Sequence, residues 1–497
     1  MLGLWYILNE EIILPFLMLY GITIKKEEDF LMEKIKEFFK LEERNTNIKT
    51  EVLAGLTTFL AMAYILPVNM NILGTAGVPA GGVFFATALA SAVACLIMGL
   101  VANYPVALAP GMGINAFFTY NVVLADNSIG WRGALAAVLI SGILFLIVSV
   151  TGIRRKVINA VPQGLKYSVG AGIGFFITFI GLKNMGIISR DLATLVSLNE
   201  DGLSNPAVLL GLFGLVVVVI LYAMGNKFAL IISIVTTAVV GVILGLIGVN
   251  FMPELTTDSV GFFEDVGKTI FAPFRGGFVE LFNSPSALFI IFVFLFVDFF
   301  DTAGTLMAVG NQAGLINEDS ELVGGDRALL ADAIGTIGGS FLGTSTVTSY
   351  IESSTGIEQG GRTGLTAVTV GILFLLSLLL YPFMNVFLGV FIGLDPITNA
   401  AIVYSPVTAM ALVMVGALMV TQLKNIEWDD KAILVPAFLT IVFMIFTFSI
   451  AEGIAVGFVF YPIIMVFTKR AKEVNPIMYI LMAVFILFFV LKGLGLS

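Results

Sequence analysis

The chain has no histidine and one cysteine, Cys95, among its 497 residues. With a single thiol there is no internal disulfide, no thiol pair for redox work and no cysteine-based metal site. Without histidine the usual neutral-pH proton shuttle is missing, so any proton handled here must ride on a carboxylate, a tyrosine or a lysine. Charge is scarce as well, at 12% of residues, and its net value of -9 argues against nucleic acid as a partner. Much of that charge sits in the loops NEDSEL (317–322) and PELTTDSVGFFED (253–265). No HExxH motif and no nucleophile with a base beside it occurs, so nothing points to an intramembrane enzyme.

Hydrocarbon is abundant instead. Hydrophobic residues make up 58% of the chain and mean hydropathy is +1.03, which places it in the lipid bilayer rather than in water. Apolar stretches of roughly 17–25 residues, each long enough to cross the hydrocarbon as a helix, recur from Leu53 onward. Continuous runs such as GLFGLVVVVILYAM (211–224) exclude the alternating pattern of a β-barrel. Spans are predicted near 53–73, 82–102, 105–122, 133–151, 164–183, 206–224, 228–249, 286–310, 325–344, 345–360, 363–383, 397–421, 432–450 and 453–468.

Lysine and arginine cluster before the first span, at Arg154 to Lys156, at Lys227, at Lys424 and Lys431, and at Lys469 to Lys472. A cytoplasmic N-terminus puts all of these inside, as the charge bias of multi-pass cell-membrane proteins requires. The opening stretch, interrupted by Glu10 and Glu11, lacks the basic start and small-residue cleavage site of a signal peptide and reads as an interfacial or dispensable extension, with Met32 a second plausible start. The apolar tail after Lys472 has the length either to add a span or to lie along the membrane surface.

Fourteen spans divide into two sevens. The predicted organisation is an extension and cytoplasmic segment (1–50), a first repeat (51–251), an extracellular connection (252–285), a second repeat (286–468) and a basic segment with an apolar tail (469–497). An odd number per half inverts the second copy, the mark of secondary transporters whose binding sites lie between repeats at mid-membrane. NYPVALAPGMGINAFFTYN (103–121) and GTSTVTSYIESSTGIEQGG (343–361) are the third span of each half, and neither is a good continuous helix. Pro105, Pro110, Gly111 and Gly113 interrupt the first, and the Ser/Thr run with alternating β-branched residues disfavours helix in the second. Two discontinuous spans facing each other are expected.

Asp298 and Asp301 lie three residues apart in an apolar helix and so share a face. With Glu352 they would cost roughly 8–10 kcal/mol if turned to lipid, so they must face protein or water. Such a pair suits a reversible proton carrier, although either aspartate can also serve simply to tie helices together. Ser349 to Glu352 fits the S-x-x-E capping box, in which the glutamate would only close a helix start. The same place can also serve a ligand, set against the backbone of Ile351 to Ser353 while Glu352 accepts its N–H donors. Asn115 offers an amide from the opposing half-helix or a bridge between helices. Phe117, Phe118 and Tyr350 offer rings for a planar ligand, or ordinary packing.

The sequence resembles the nucleobase/cation symporter family, in its branch of azaguanine-type adenine, guanine and hypoxanthine permeases. The resemblance runs from about Thr46 to the last span and rests on TEVLAGLTTFLAMAYILPVN, ANYPVALAPGMGINAFFTYNVV, FVDFFDTAGTL and GTSTVTSYIESSTGIEQGGRTGLTA. It implies an all-α polytopic membrane protein of about fourteen helices in two inverted seven-helix repeats. A core domain (spans 1–4 and 8–11) would face a gate domain (spans 5–7 and 12–14), with short strands and half-helices in spans 3 and 10. The family's substrate site maps onto Asp298 or Asp301, onto Glu352, flanked by Ile351 and Ser353, and onto Asn115. Proton coupling would fall to Asp298, Asp301 or Glu352. The expected function is purine nucleobase import by proton symport, with no cofactor beyond the proton and with elevator-like or rocking movement of core against gate. Homodimers occur in the family. Na+ coupling, a range extending to uracil or xanthine, and a passive pore are the alternatives.

Overall fold

The computed structural model describes residues 32–125, 129–151, 160–191, 194–200, 202–255, 261–317, 322–394 and 401–494. The expected extension through residue 31, the Arg154 to Lys156 cluster and parts of the two acidic loops lie outside the described residues.

The first seven spans are α1 (Ile48–Met62) continued past a short break by α2 (Ile65–Thr75), α3 (Ala80–Ile97), β1 (Leu108–Pro110) leading into α4 (Met112–Ala116), α5 (Trp131–Thr151), α6 (Gln163–Met185), then, after the hairpin β2 (Ile188–Asp191) and β3 (Leu195–Leu198), α7 (Pro206–Ala223) and α8 (Ala229–Leu246). Side-chain caps mark several starts: Asn47 accepts the Thr50 amide ahead of α1, and Asn205 accepts the Ala207 amide ahead of α7, which opens on Pro206. Two short helices, α9 (Phe262–Thr269) and α10 (Gly277–Asn283), fill the connection between halves.

The second seven are α11 (Ala287–Gln312), α12 (Gly325–Leu342), β4 (Val347–Ser349) leading into α13 (Ser353–Glu358), α14 (Gly364–Ser377), then, after the hairpin β5 (Val390–Leu394) and β6 (Ala401–Tyr404), α15 (Ala409–Val420), α16 (Lys431–Phe446) and α17 (Ile450–Phe467). Each predicted span has a counterpart, and the two broken ones are third in each half, as expected. The twelfth departs from its predicted bounds of 397–421. Residues 401–404 pair with β5 and helix begins only at Ala409. The run AIVY favours strand, and Pro406 drives Ser405 away from helical geometry.

Packing separates the helices into two bodies. The core joins α1 to α5 with α11 to α14, and the gate joins α6 to α8 with α15 to α17. In the gate α6 and α15 approach closely because Gly174 meets Gly416, where any Cβ would strike the facing carbonyl oxygen. The tail forms α18 (Pro476–Gly493), packed along α17 with Phe485 against Phe458 and Phe488 stacked on Phe289 of α11. It therefore joins the bundle as a further helix.

Candidate functional site

Where the two broken spans meet, β1 and β4 pair antiparallel with Leu108 opposite Ser349, Ala109 opposite Thr348 and Pro110 opposite Val347. All six residues are buried. The Tyr350 amide donates to Ala107 O (2.9 Å) and the Gly111 amide to Thr346 O (3.1 Å), which extends the ribbon by one bond at each end. Ser353 Oγ accepts the Ala107 amide (3.0 Å) and the Tyr350 hydroxyl donates to Pro110 O (2.6 Å). The pairing satisfies backbone groups that a broken span would otherwise leave orphaned in hydrocarbon.

Asp301 of α11 and Glu352, just ahead of α13, converge beside this ribbon. Thr348 Oγ1 donates to Asp301 Oδ2 (3.3 Å), the Tyr64 hydroxyl donates to Glu352 Oε1 (2.5 Å), and the two carboxylates lie within electrostatic range of one another. The capping box is not formed. Glu352 makes no side-chain cap bond to α13, and Ser349 Oγ has no partner among the described residues. Open space adjoins the pair: Ile351 is 49% exposed, and a Cβ on Gly304, one turn along α11 from Asp301, would meet no atom within 4 Å. Gly304, Ala308, Asn311 and Gln312 continue an exposed stripe to the end of α11, on the side of the membrane where α1 begins.

Asp298 takes a different neighbourhood. It is 1% exposed and its Oδ2 accepts the Thr336 hydroxyl of α12 at 3.1 Å. Asn115 is fully buried, and its Oδ1 accepts the Ser345 hydroxyl while its Nδ2 has no partner among the described residues. An unspent amide donor thus sits on the half-helix opposite Glu352. Phe117 and Phe118 pack against Phe294 with ring centroids 4.9 and 6.4 Å away, and the Tyr350 hydroxyl is taken by Pro110, so in this conformation these rings belong to the packing.

Sequence reasoning missed Asp332 and Tyr64. Asp332, fully buried on α12, accepts the Thr302 hydroxyl (2.9 Å), and its signal was there: a lone acid mid-way along a predicted span. Tyr64 left no such mark, being one aromatic in an apolar run. None of Asp298, Asp301, Asp332 and Glu352 has an ion-pair partner among the described residues. An anion would therefore meet acids without a counter-cation, whereas a ligand carrying N–H donors, or a cation, is matched. Two cavities, of about 420 and 430 Å³, are lined by Phe251 to Glu254 with Leu388 to Phe391, and by Tyr461 with Lys472 to Pro476. Neither includes an acid of this cluster.

The model of a family described as the Permease family (Xan_ur_permease) matches residues 49–456. The guanine/hypoxanthine permease PbuG of Bacillus subtilis (strain 168) is 47% identical over 467 residues, covering 92% of this chain and 99% of the relative. The adenine permease AdeP of Escherichia coli (strain K12) is 40% identical, covering 91% of this chain and 95% of the relative. Among solved structures, the transmembrane domain of a cyanobacterium bicarbonate transporter, BicA, superposes with a TM-score of 0.59 at 15% identity, over 82% of this chain and 96% of that one. The likeness shows the fold alone: two inverted repeats with core and gate domains. The chain belongs to this permease family and is a multi-pass membrane protein.

Proposed function

We propose that this permease imports purine nucleobases, adenine, guanine or hypoxanthine, across the cell membrane in symport with a proton. The observation that carries the reading is the meeting of acceptor and donor at one break: Glu352 and Asp301 bordering open space, with the unspent Asn115 amide on the facing half-helix. A purine edge presents ring N–H and exocyclic groups in the same mixture, so carboxylates accept its donors and the amide serves its acceptors. The names of PbuG and AdeP agree with such a cargo. The N-terminus is cytoplasmic in this reading, which puts the end of α11 on the cytoplasmic side as well.

Transport proceeds as the core moves against the gate, elevator-like, carrying the ribbon and its acids from one face to the other. One carboxylate of the Asp298/Asp301 pair carries the proton, and the other is left to the base. A proton bound equally in both orientations would shift nothing, so coupling requires that protonation change base affinity or the orientation equilibrium. The test is uptake of radiolabelled adenine, guanine, hypoxanthine, xanthine and uracil in cells lacking their own permeases. Saturable accumulation of purines that a protonophore abolishes and sodium removal leaves intact supports the reading. Dependence on sodium, or preference for uracil, overturns its finer terms, and flux without saturation or accumulation overturns transport in favour of a pore.

A further inference from the structure

Helices α11 and α12 run antiparallel, and four of their side chains cross-bond in register. Thr336 donates to Asp298 Oδ2 at 3.1 Å, and Thr302 donates to Asp332 Oδ2 at 2.9 Å. Asp298 and Thr302 are one turn apart on α11, as are Asp332 and Thr336 on α12. The four therefore make a square with a carboxylate at each end of one diagonal. Strand β4 is threaded across it: Thr336 Oγ1 accepts the Val347 amide and lies 3.1 Å from Val347 O, and Thr302 Oγ1 lies 2.8 Å from Thr348 Oγ1.

The proton count in this square does not close. Each threonine has one hydroxyl proton. That of Thr302 serves either Asp332 or Thr348, and that of Thr336 serves either Asp298 or the Val347 carbonyl. Asp298 Oδ1 and Asp332 Oδ1 have no hydrogen-bonded partner among the described residues, although the two residues are 1% and 0% exposed, and beyond the threonines Asp332 is approached by the Ser349 backbone amide. Thr346 Oγ1 and Ser349 Oγ, flanking the threaded residues of β4, are buried and unpartnered in the same way. The other titratable groups facing the square are Asp301 on α11 and, beyond it, Glu352 and Tyr350 ahead of α13, none of which brings a positive charge. Two sealed carboxylates with no counter-charge are strongly disfavoured, so an arrangement of hard oxygen donors around spare acceptor atoms calls for a small cation.

We propose that Asp298 and Asp332 together form the site of the monovalent coupling cation, behind β4 and apart from the base-binding face of Asp301, Glu352 and Asn115. This rests on the transport reading above and adds Asp332 to it. A proton shared by the two carboxylates, or a sodium ion held by them with the threonine hydroxyls, satisfies the same chemistry. Occupancy is relayed to the base through hydroxyls: a neutralised Asp332 releases the Thr302 proton toward Thr348, and Thr348 can then spend its own on Asp301, 3.3 Å away. The cation thereby resets the acceptor that the base meets.

Purified protein in proteoliposomes tests this with two readouts, accumulation of labelled purine under an imposed gradient and equilibrium exchange with no gradient. Separate arms impose a proton gradient in sodium-free buffer and a sodium gradient at equal pH. The arm in which the wild type accumulates identifies the cation. In that arm Asp332→Asn is expected to lose accumulation at least tenfold, keep exchange within about threefold of wild type, and lose the dependence of exchange on that cation's concentration. Asp332→Glu is expected to restore part of the accumulation. Thr302→Val, which leaves both acids in place, is expected to displace the cation dependence of exchange, and keeps the test open if Asp332→Asn does not fold. Wild-type accumulation by Asp332→Asn, or unaltered cation dependence in Thr302→Val, overturns the site. A wild type that moves no purine in either readout overturns the transport reading and this site with it.

Discussion

Tyr64, at the break between α1 and α2, donates its hydroxyl to Glu352 Oε1 at 2.5 Å across 288 residues of sequence. This bond ties the first span of the core to the start of the half-helix in the tenth span, and it brings another span's side chain to the Glu352 carboxylate. Tyr64→Phe keeps the ring and deletes the hydroxyl. A hydrogen bond to a charged group is worth about 1.5–3 kcal/mol, so KM for the transported base should rise about tenfold or more, with protein level unchanged. Concentration dependence of initial uptake rates checks it, and an unchanged KM would show that Glu352 is positioned by other means.

Asp301 and Glu352 carry the base-binding proposal. Glu352→Gln and Asp301→Asn should abolish accumulation while both variants still reach the membrane, as read by immunoblotting of membrane fractions beside the uptake assay. Full uptake in both variants would refute the assignment.

Lys227, in the turn between α7 and α8, pairs with Glu358 at the end of α13 at 2.7 Å, joining gate to core. The two side chains are 36% and 49% exposed, so the pair adds at most about 1 kcal/mol to stability. Its expected effect is on movement. Lys227→Glu should change the initial transport rate about two- to fivefold with little change in melting temperature, and adding Glu358→Lys should bring the rate back. A double variant whose effects simply add would show that the pair does not restrain the two bodies.

Glu51 is fully buried at the start of α1 and caps the other end of the same neighbourhood. It accepts from the amides of Arg362, Thr363 and Thr366 and from the Thr366 hydroxyl, at 2.8, 3.2, 3.3 and 2.6 Å. Glu51→Ala strands these donors at the start of α14 and should cost about 2–3 kcal/mol, seen as a lower melting temperature in detergent. Glu51→Gln, which keeps an acceptor, should lose less, and equal loss in both would point to charge rather than bonding.

Arg470, after α17, clasps Asp430 at the start of α16 at 2.7 Å and thereby closes the loop side of the gate. The Arg470 guanidinium, helped by the Ala432 amide, holds the Asp430 carboxyl below its ordinary value. The folded form therefore binds this proton less readily than the unfolded chain, so the contribution is present at neutral pH and fades as pH falls through the depressed value. Melting temperatures of wild type and Arg470→Ala should differ most above the ordinary carboxylate range and converge once the pH has fallen below the depressed value of Asp430. A gap that persists in acid would assign it to packing.

Legibility followed the range of the physics involved. The broken spans were readable because proline, glycine and β-branched runs act on their own few residues, and the acids on α11 because a carboxylate in an apolar run is costly wherever it lands. The register of β1 on β4 was not readable, since Leu108 and Ser349 meet only through the closure of two repeats, and the twelfth span was misjudged where apolar AIVY served a hairpin rather than a helix. Whether Glu352 was a cap or a free acceptor also lay beyond local reasoning, because the deciding partner was Tyr64.

By itself, then, the order of residues determined that this chain lives in a bilayer, crosses it many times in two inverted halves, and breaks twice at matched places, all of which follow from transfer of local segments out of water. Only the tertiary structure decided which acids share an environment. Asp298 and Asp301 sit three residues apart, yet one faces Thr336 on α12 and the other Thr348 on β4, and Asp332 joins the first from another helix. Hydrogen bonds reach about 3 Å in space and take no account of separation along the chain, so partners of this kind exist only once the helices have packed.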